Sequence, residues 1–228
     1  MLIAVSAKSQ KWMPGSFTDI KGNKMSGLIR ENSSKNGLIK DEGFIEFKDG
    51  EKTNPFKLSA SDIKSFMVGK DSFVVAHAPH NEQWTKHELD FVKVELDEET
   101  KLYVAIVGSV YGAEKGISVH PEGGVGLGTG GYGNGAGASG GVAISIGGGG
   151  TKTGKVQATY YYGPNTAEMS QLTPINFIDV MSDIMGDEQE VVDRIKAGQF
   201  NLGNIQKLIA YFKQVKEAES QKPKAESN

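Results

Sequence analysis

Cysteine is absent from this 228-residue chain, proline is sparse at seven residues, and no long apolar run occurs. Without cysteine there is no disulfide-stapled scaffold, no Cys-ligated zinc site and no thiol nucleophile. No stretch approaches the ~20 apolar residues that a membrane-spanning helix needs. A surplus of one charge is lacking too: 25 Lys and Arg against 28 Asp and Glu leave a formal charge of −3. That balance speaks against a nucleic-acid partner, whose binding draws on clustered cations. What is present, 38% hydrophobic residues in a chain of this length, suits one globular domain with appendages.

The two ends differ from the body. Met1-Leu-Ile-Ala-Val-Ser-Ala7 is followed by the polar, basic Lys8-Ser-Gln-Lys11, so an apolar stretch ends in small residues placed for cleavage after Ala7. It matches the last part of a secretory signal, lacking the n-region and most of the h-region, and residues 1–7 are read as a signal remnant. An ordinary first β-strand is the alternative. The expected location is secreted or periplasmic, at the cell envelope, and the lack of cysteine is compatible with an oxidising compartment. Residues 219–228 are almost without apolar side chains and are expected to form a disordered tail.

From residue 8 to 172 the pattern is mostly β. Phe17–Lys21 and Lys24–Arg30 flank Gly22-Asn23, which has hairpin chemistry. Gly43–Lys48 ends at the turn signal Asp49-Gly50. Leu58–Phe66 reads as a short helical turn capped by Ser59 or Ser61, followed by strands at Phe66–Val68 and Ser72–Ala78. Phe91–Leu96 alternates, with Val92, Val94 and Leu96 on one face and Lys93 and Glu95 on the other, the pattern of a half-exposed antiparallel strand. Lys101–Val107 is more uniformly apolar and reads as a central strand. Residues 123–154 hold 16 of the 30 glycines and are read as an inserted loop, because glycine brings no side chain to pack and a large ordering entropy. Within it Val142–Ile146 is a possible strand, and Lys155–Tyr162 resumes the sheet with aromatic and β-branched residues.

After residue 172 the apolar period changes from two to 3.6. Thr173-Pro174 reads as an N-cap with proline in the first turn, and Ile175, Ile178 and Met181, with Phe177 and Met185, as the apolar stripe of a helix. Asp187–Glu190 has the pattern of a capping box opening a helix through Val191, Val192 and Ile195 to Gly198. Asn201 caps a third helix with Ile205, Leu208, Ile209, Phe212 and Val215 on one face. The expected fold is therefore α+β: an antiparallel sheet of short strands, a two- or three-helix section over 173–218 packed on the same domain, and the glycine-rich insertion.

The run Asp19–Arg30, then Gly43-Phe-Ile-Glu-Phe-Lys48, then Ser61-Asp-Ile-Lys-Ser-Phe-Met-Val68 resembles a group of exported proteins of unknown function from Gram-negative bacteria. Their pattern is K-G-D-x-x-x-G-x-I, then I-x-F-K, then D-I-K-x-F-x-V, closed by short helices, here matched over roughly residues 15–110 and 155–215. Asn23 stands where an Asp is usual, and the glycine tract is an addition. The resemblance implies the fold and export, and carries no catalytic residues.

Candidate sites are few. Gly126-Leu-Gly128-Thr-Gly-Gly131 matches a dinucleotide fingerprint, but no strand–helix context accompanies it. Gly149–Gly154-Lys155-Val156 nearly matches a phosphate-binding loop, with Val156 where a hydroxyl must reach Mg²⁺. Small residues at Gly133, Gly137 and Gly141 have a helix-packing spacing, in a tract too poor in large apolar residues for a bilayer. His77, His80 and His87, beside Glu82, Glu88 and Asp90, are the one group of metal-ligand types, without a His-Glu-x-x-His spacing. Tyr160 and Tyr162, with Trp84, suit stacking on sugars or packing in a core. No cofactor is implied. The leading expectation is an exported non-enzymatic structural, adhesive-like or accessory module with an envelope or protein partner. A metal-dependent hydrolase on His77, His80 and His87 and a glycan-binding module are the alternatives.

Overall fold

The computed structural model describes residues 12–31, 37–79, 87–107, 142–144 and 156–221. Its eleven strands are β1 (Met13–Asp19), β2 (Lys24–Glu31), β3 (Phe44–Lys48), β4 (Phe56–Ser59), β5 (Ile63–Val68), β6 (Asp71–His77), β7 (Leu89–Leu96), β8 (Lys101–Val107), β9 (Val142–Ile144), β10 (Val156–Gly163) and β11 (Ser170–Gln171). Three helices follow, α1 (Phe177–Ile184), α2 (Gln189–Lys196) and α3 (Ile205–Ser220). All strands join one sheet in the order β11-β10-β8-β7-β6-β5-β1-β2-β3-β4, with β9 on β10, and every ladder between named strands is antiparallel. The α+β class expected from the change of period is the class observed.

One half of the sheet rolls up. The Glu88 N–H donates to the Asp41 carbonyl (2.9 Å) and the Gly43 N–H to that of Leu89 (2.8 Å), so the segment entering β3 closes onto the start of β7. The enclosed interior holds Phe17, Ile29, Ile45, Phe47, Ile63, Phe66, Phe73 and Phe91. Its rings meet edge to face, as in Phe17–Phe47 (4.9 Å between centroids) and Phe66–Phe91 (4.9 Å), or stack, as in Phe66–Phe73 (4.6 Å). Such pairs add to the burial of ring area. The curvature brings backbones too close for a Cβ at Gly43, where it would overlap the Asp90 carboxylate, and at Gly27, where it would sit 2.7 Å from the Phe47 ring.

The other half stays open and is covered. Leu102, Val104, Ala158 and Tyr160 of β8 and β10 pack under Phe177, Met181, Val191, Ile195, Leu208, Ile209 and Phe212 of the helices. The opposite face of the same strands carries a smaller cluster of Val92, Tyr103, Ala105, Tyr161 and Met169.

Local chemistry accounts for the turns. Asp19 Oδ1 accepts the Lys21 and Asn23 N–H groups (2.8 Å each), and Gly22 takes φ +93°, which gives the β1–β2 hairpin its turn. Asp62 reaches back to the Ser59 N–H (2.8 Å) across a 3-10 turn over Ala60–Asp62, which is shorter than the helical turn expected over Leu58–Phe66 because β4 runs to Ser59 and β5 begins at Ile63. Asn201 Oδ1 accepts the Gly203 N–H (2.9 Å) and leads through a second 3-10 turn into α3, while Gly198 closes α2 at φ +73°.

Three local expectations are corrected. The helix expected from Thr173-Pro174 starts at Phe177, because Asn176 Oδ1 takes the Thr173 N–H (2.7 Å) and holds residues 173–176 in a turn. Its inner stripe is then Phe177, Met181 and Ile184, and Ile175 (94% exposed) and Ile178 point outward. Glu188, not Asp187, precedes α2 and makes no side-chain cap. The third correction, in β7, shapes the site below. Residues 1–7, the fingerprints at 126–131 and 149–155, and the tail from 222 lie outside the described residues.

Candidate functional site

β7 belongs to both halves of the sheet. Between Val94 and Leu96 its register against β8 shifts by one residue, so Leu96 falls opposite Leu102 and joins the core under the helices. Such a bulge places two successive residues on one face. Glu95 and Leu96 therefore both lie on the side of Lys93, and the Lys93/Glu95 face is an interior face and not the solvated one expected from alternation. Glu95 is 8% exposed.

The charges brought inside pair with one another. Lys93 Nζ lies 2.9 Å from Asp71 Oδ1 and 3.1 Å from Glu95 Oε2. Glu95 Oε1 faces Lys213 Nζ of α3 at 3.6 Å. Burial works against the Lys93 ammonium, but the Glu95 and Asp71 carboxylates outweigh it and hold its pKa above the usual lysine value. Beside them Tyr160, 1% exposed, shares a 2.6 Å hydrogen bond with the Gln206 side chain of α3. Burial pushes the Tyr160 hydroxyl up to about 12, against the Gln206 bond, with the Glu95 charge adding to the rise. About one turn beyond Lys213 on α3, Lys216 Nζ reaches both Glu98 oxygens at 2.8 Å. These contacts fasten α3 to β7, β10 and the β7–β8 turn, and β7 to β6. Each of these charges faces an opposite one.

Among the described residues, two surface clefts stand out. The larger, about 280 Å³, is lined by residues that include His77, Pro79, Leu89, Thr166 and Met169. The other, about 240 Å³, is lined by Glu98, Glu99, Thr100, Asp183, Gly186 and Asp187. Behind it Glu188 is buried and its carboxyl pKa is raised, by desolvation first and then by Glu219 and Asp187, with Lys216 opposing.

His77, at the end of β6, lines the larger cleft, and His87 sits just before β7. His80, Glu82 and Trp84 lie outside the described residues. Among the described residues no group of three His, Asp or Glu side chains is placed to hold a metal ion. Tyr160 is a core residue facing the helices, so it offers no ring to a ligand, and Tyr162 is half-buried against the same cluster. No described helix is long and apolar enough to cross a membrane.

Sequence reasoning missed the Asp71–Lys93–Glu95–Lys213 group, since alternation places Lys93 and Glu95 in solvent and nothing local marks the bulge. It also passed over Trp12, whose ring has Arg30 4.5 Å and Lys48 Nζ 4.7 Å from its centroid. The cationic alternation of β2 and β3 beside a tryptophan is the signal that points to it. Comparisons with protein-family models, curated proteins and solved structures find no match to this chain.

Proposed function

We propose that this chain is an exported, non-enzymatic module that serves as a structural, adhesive-like or accessory component of the cell envelope. The observation that carries this reading is the pairing of the buried Glu95 and the largely buried Lys93 with each other and with the surface residues Asp71 and Lys213. Lys93, Glu95, Asp71 and Lys213 are spent on joining helix to sheet, whereas an acid–base or nucleophilic site needs charged groups aimed into a cleft. The signal-like Met1–Ala7 and the resemblance to exported Gram-negative proteins support the location.

The test is fractionation of cells expressing the gene with its upstream sequence, with N-terminal sequencing of the product and metal analysis after dialysis. A chain beginning at Lys8 outside the cytoplasm, without bound metal, is the expected result. Retention of Met1 in the cytoplasm contradicts export. Stoichiometric zinc lost in His80→Ala contradicts the non-enzymatic reading in favour of a hydrolase on His77, His80 and His87.

A further inference from the structure

The outward face of β1–β4 differs from the rest of the molecule in charge. Phe17, Ile29 and Phe47 point into the rolled interior, so alternation turns Ser16 and Thr18 of β1, Ser26, Leu28 and Arg30 of β2 and Glu46 and Lys48 of β3 outward. Lys57 of β4 lies opposite Glu46, and Lys24 opposite Thr18. These strands thus turn out four cations and one carboxylate, in a chain whose formal charge is −3. The carboxylate is committed: Glu46 Oε2 accepts Arg30 Nε at 2.8 Å and is largely buried. Lys48 Nζ has a neutral partner, the Glu51 carbonyl at 3.1 Å, and Lys24 is exposed. Two rings brace the cations, Trp12 under Arg30 and Lys48 and Phe44 under Lys57. Cation–π contacts of this kind hold a side chain in place without cancelling its charge.

We propose that this face binds an acidic polysaccharide, with Lys24 and Lys48 meeting its carboxylates, the Arg30–Glu46 pair between strands β2 and β3 flanking them, and the Ser16–Ser26 pair and Thr18 meeting its hydroxyls. The register sets Arg30, Glu46 and Lys57 in one line across β2, β3 and β4, with Lys48 two residues along β3 and Lys24 at the hairpin end of β2, so the cations are spread over a face that an extended polymer can lie along. Trp12 is engaged by two cations of its own chain, which removes the base stacking that single-stranded nucleic acid uses. The small hydroxyls give a membrane no apolar wedge to insert. The envelope location of such a partner rests on the reading above, but the site does not, and binding by the purified chain is independent of export.

The experiment titrates the purified full-length chain with polygalacturonate, with neutral dextran, a poly(dT) oligonucleotide and phosphatidylglycerol vesicles in parallel, following Trp fluorescence and heat. Polygalacturonate is expected to bind, with affinity falling between about 50 and 300 mM salt, and dextran is expected not to. Lys24→Gln with Lys48→Gln should weaken binding about tenfold, a difference of about 1.4 kcal/mol. Lys24→Arg with Lys48→Arg should retain it, and the distant exposed pair Lys196→Gln with Lys207→Gln should leave it unchanged. Circular dichroism of each variant confirms its fold. No binding of polygalacturonate, equal loss in both Gln pairs, or preference for poly(dT) or the vesicles overturns the proposal.

Discussion

The rolled half of the sheet and the helix-covered half solve the same problem, burying one face of a strand, with different residues. The rolled interior is filled by five phenylalanines and three isoleucines, with little from outside the sheet. Its tight curvature is why Gly27 and Gly43 stand where a Cβ would strike a neighbour. The covered half is filled from both layers, with Leu, Ile, Val and Met of the helices at 3.6-residue spacing set against flat strand positions. The difference teaches that curvature demands bulky rings and missing side chains at fixed points, whereas a helical layer demands only a stripe. It also locates the paired charges: β7 passes from one environment to the other, and Lys93 lies at the changeover, between Phe73 of the rolled core and Val104 of the covered one.

The largest test of this comparison removes a ring from one core and a stripe residue from the other. Phe47→Ala should cost about 3–5 kcal/mol and Leu208→Ala about 2–5 kcal/mol. Because β7 is shared, denaturant unfolding of both variants should remain one transition. Two separate transitions would show that the halves fold independently.

Next in size is Glu95→Ala, which leaves Lys93 buried beside one partly exposed carboxylate and should cost about 3–5 kcal/mol by the usual penalty for breaking a buried pair. A neutral result in chemical denaturation would mean that the network is solvated. Gly43→Ala should cost about 1–3 kcal/mol, the range for overpacking, through the clash with Asp90. Amide exchange should then quicken at the N–H groups of Glu88 and Leu89 while those of α3 keep their protection, and uniform quickening would contradict a local closure.

The last effect appears only at high pH. The folded hydroxyl of Tyr160 titrates near about 12, above its unfolded value of about 10. A group raised in this way gives its stabilisation in full below the unfolded value. That contribution, about 2–3 kcal/mol at most, is lost as pH rises from about 10 to 12. Tyr160→Phe should flatten the stability curve in that window, and an unchanged slope would contradict the assignment.

How much of this was legible beforehand follows from range. Turns and caps are local, so the turn at Gly22-Asn23, Ser59 as one of two candidate caps, Gly198 and Asn201 are legible from neighbours in sequence. The strand before the first turn nevertheless ends at Asp19, two residues early, and the Asp19 and Asp62 carboxylates that hold these turns go unread. The stripe of α3 is legible for the same reason, with Ile205, Leu208, Ile209 and Phe212 all buried. Roll-up of the sheet is not local. It depends on Asp41 and Gly43 meeting Glu88 and Leu89, more than 40 residues away, and no pattern within either segment signals it. The bulge in β7 defeats alternation in the same way, since one inserted residue moves Glu95 and Leu96 to a single side. The site candidates fared by the same rule. Tyr160 and Tyr162 are settled by what packs on them, and His77 and His87 take their meaning from neighbours that sequence order does not supply.

The most direct measurement is the stability and fold of the double variant Lys93→Met with Glu95→Leu, compared with each single change. If the buried charges serve only to join helix to sheet, each single variant is strongly destabilised. The double then recovers to within about 1 kcal/mol of the parent or exceeds it, because an apolar pair of similar volume removes the desolvation cost. A double variant as unstable as the sum of the singles would contradict that account of the seam.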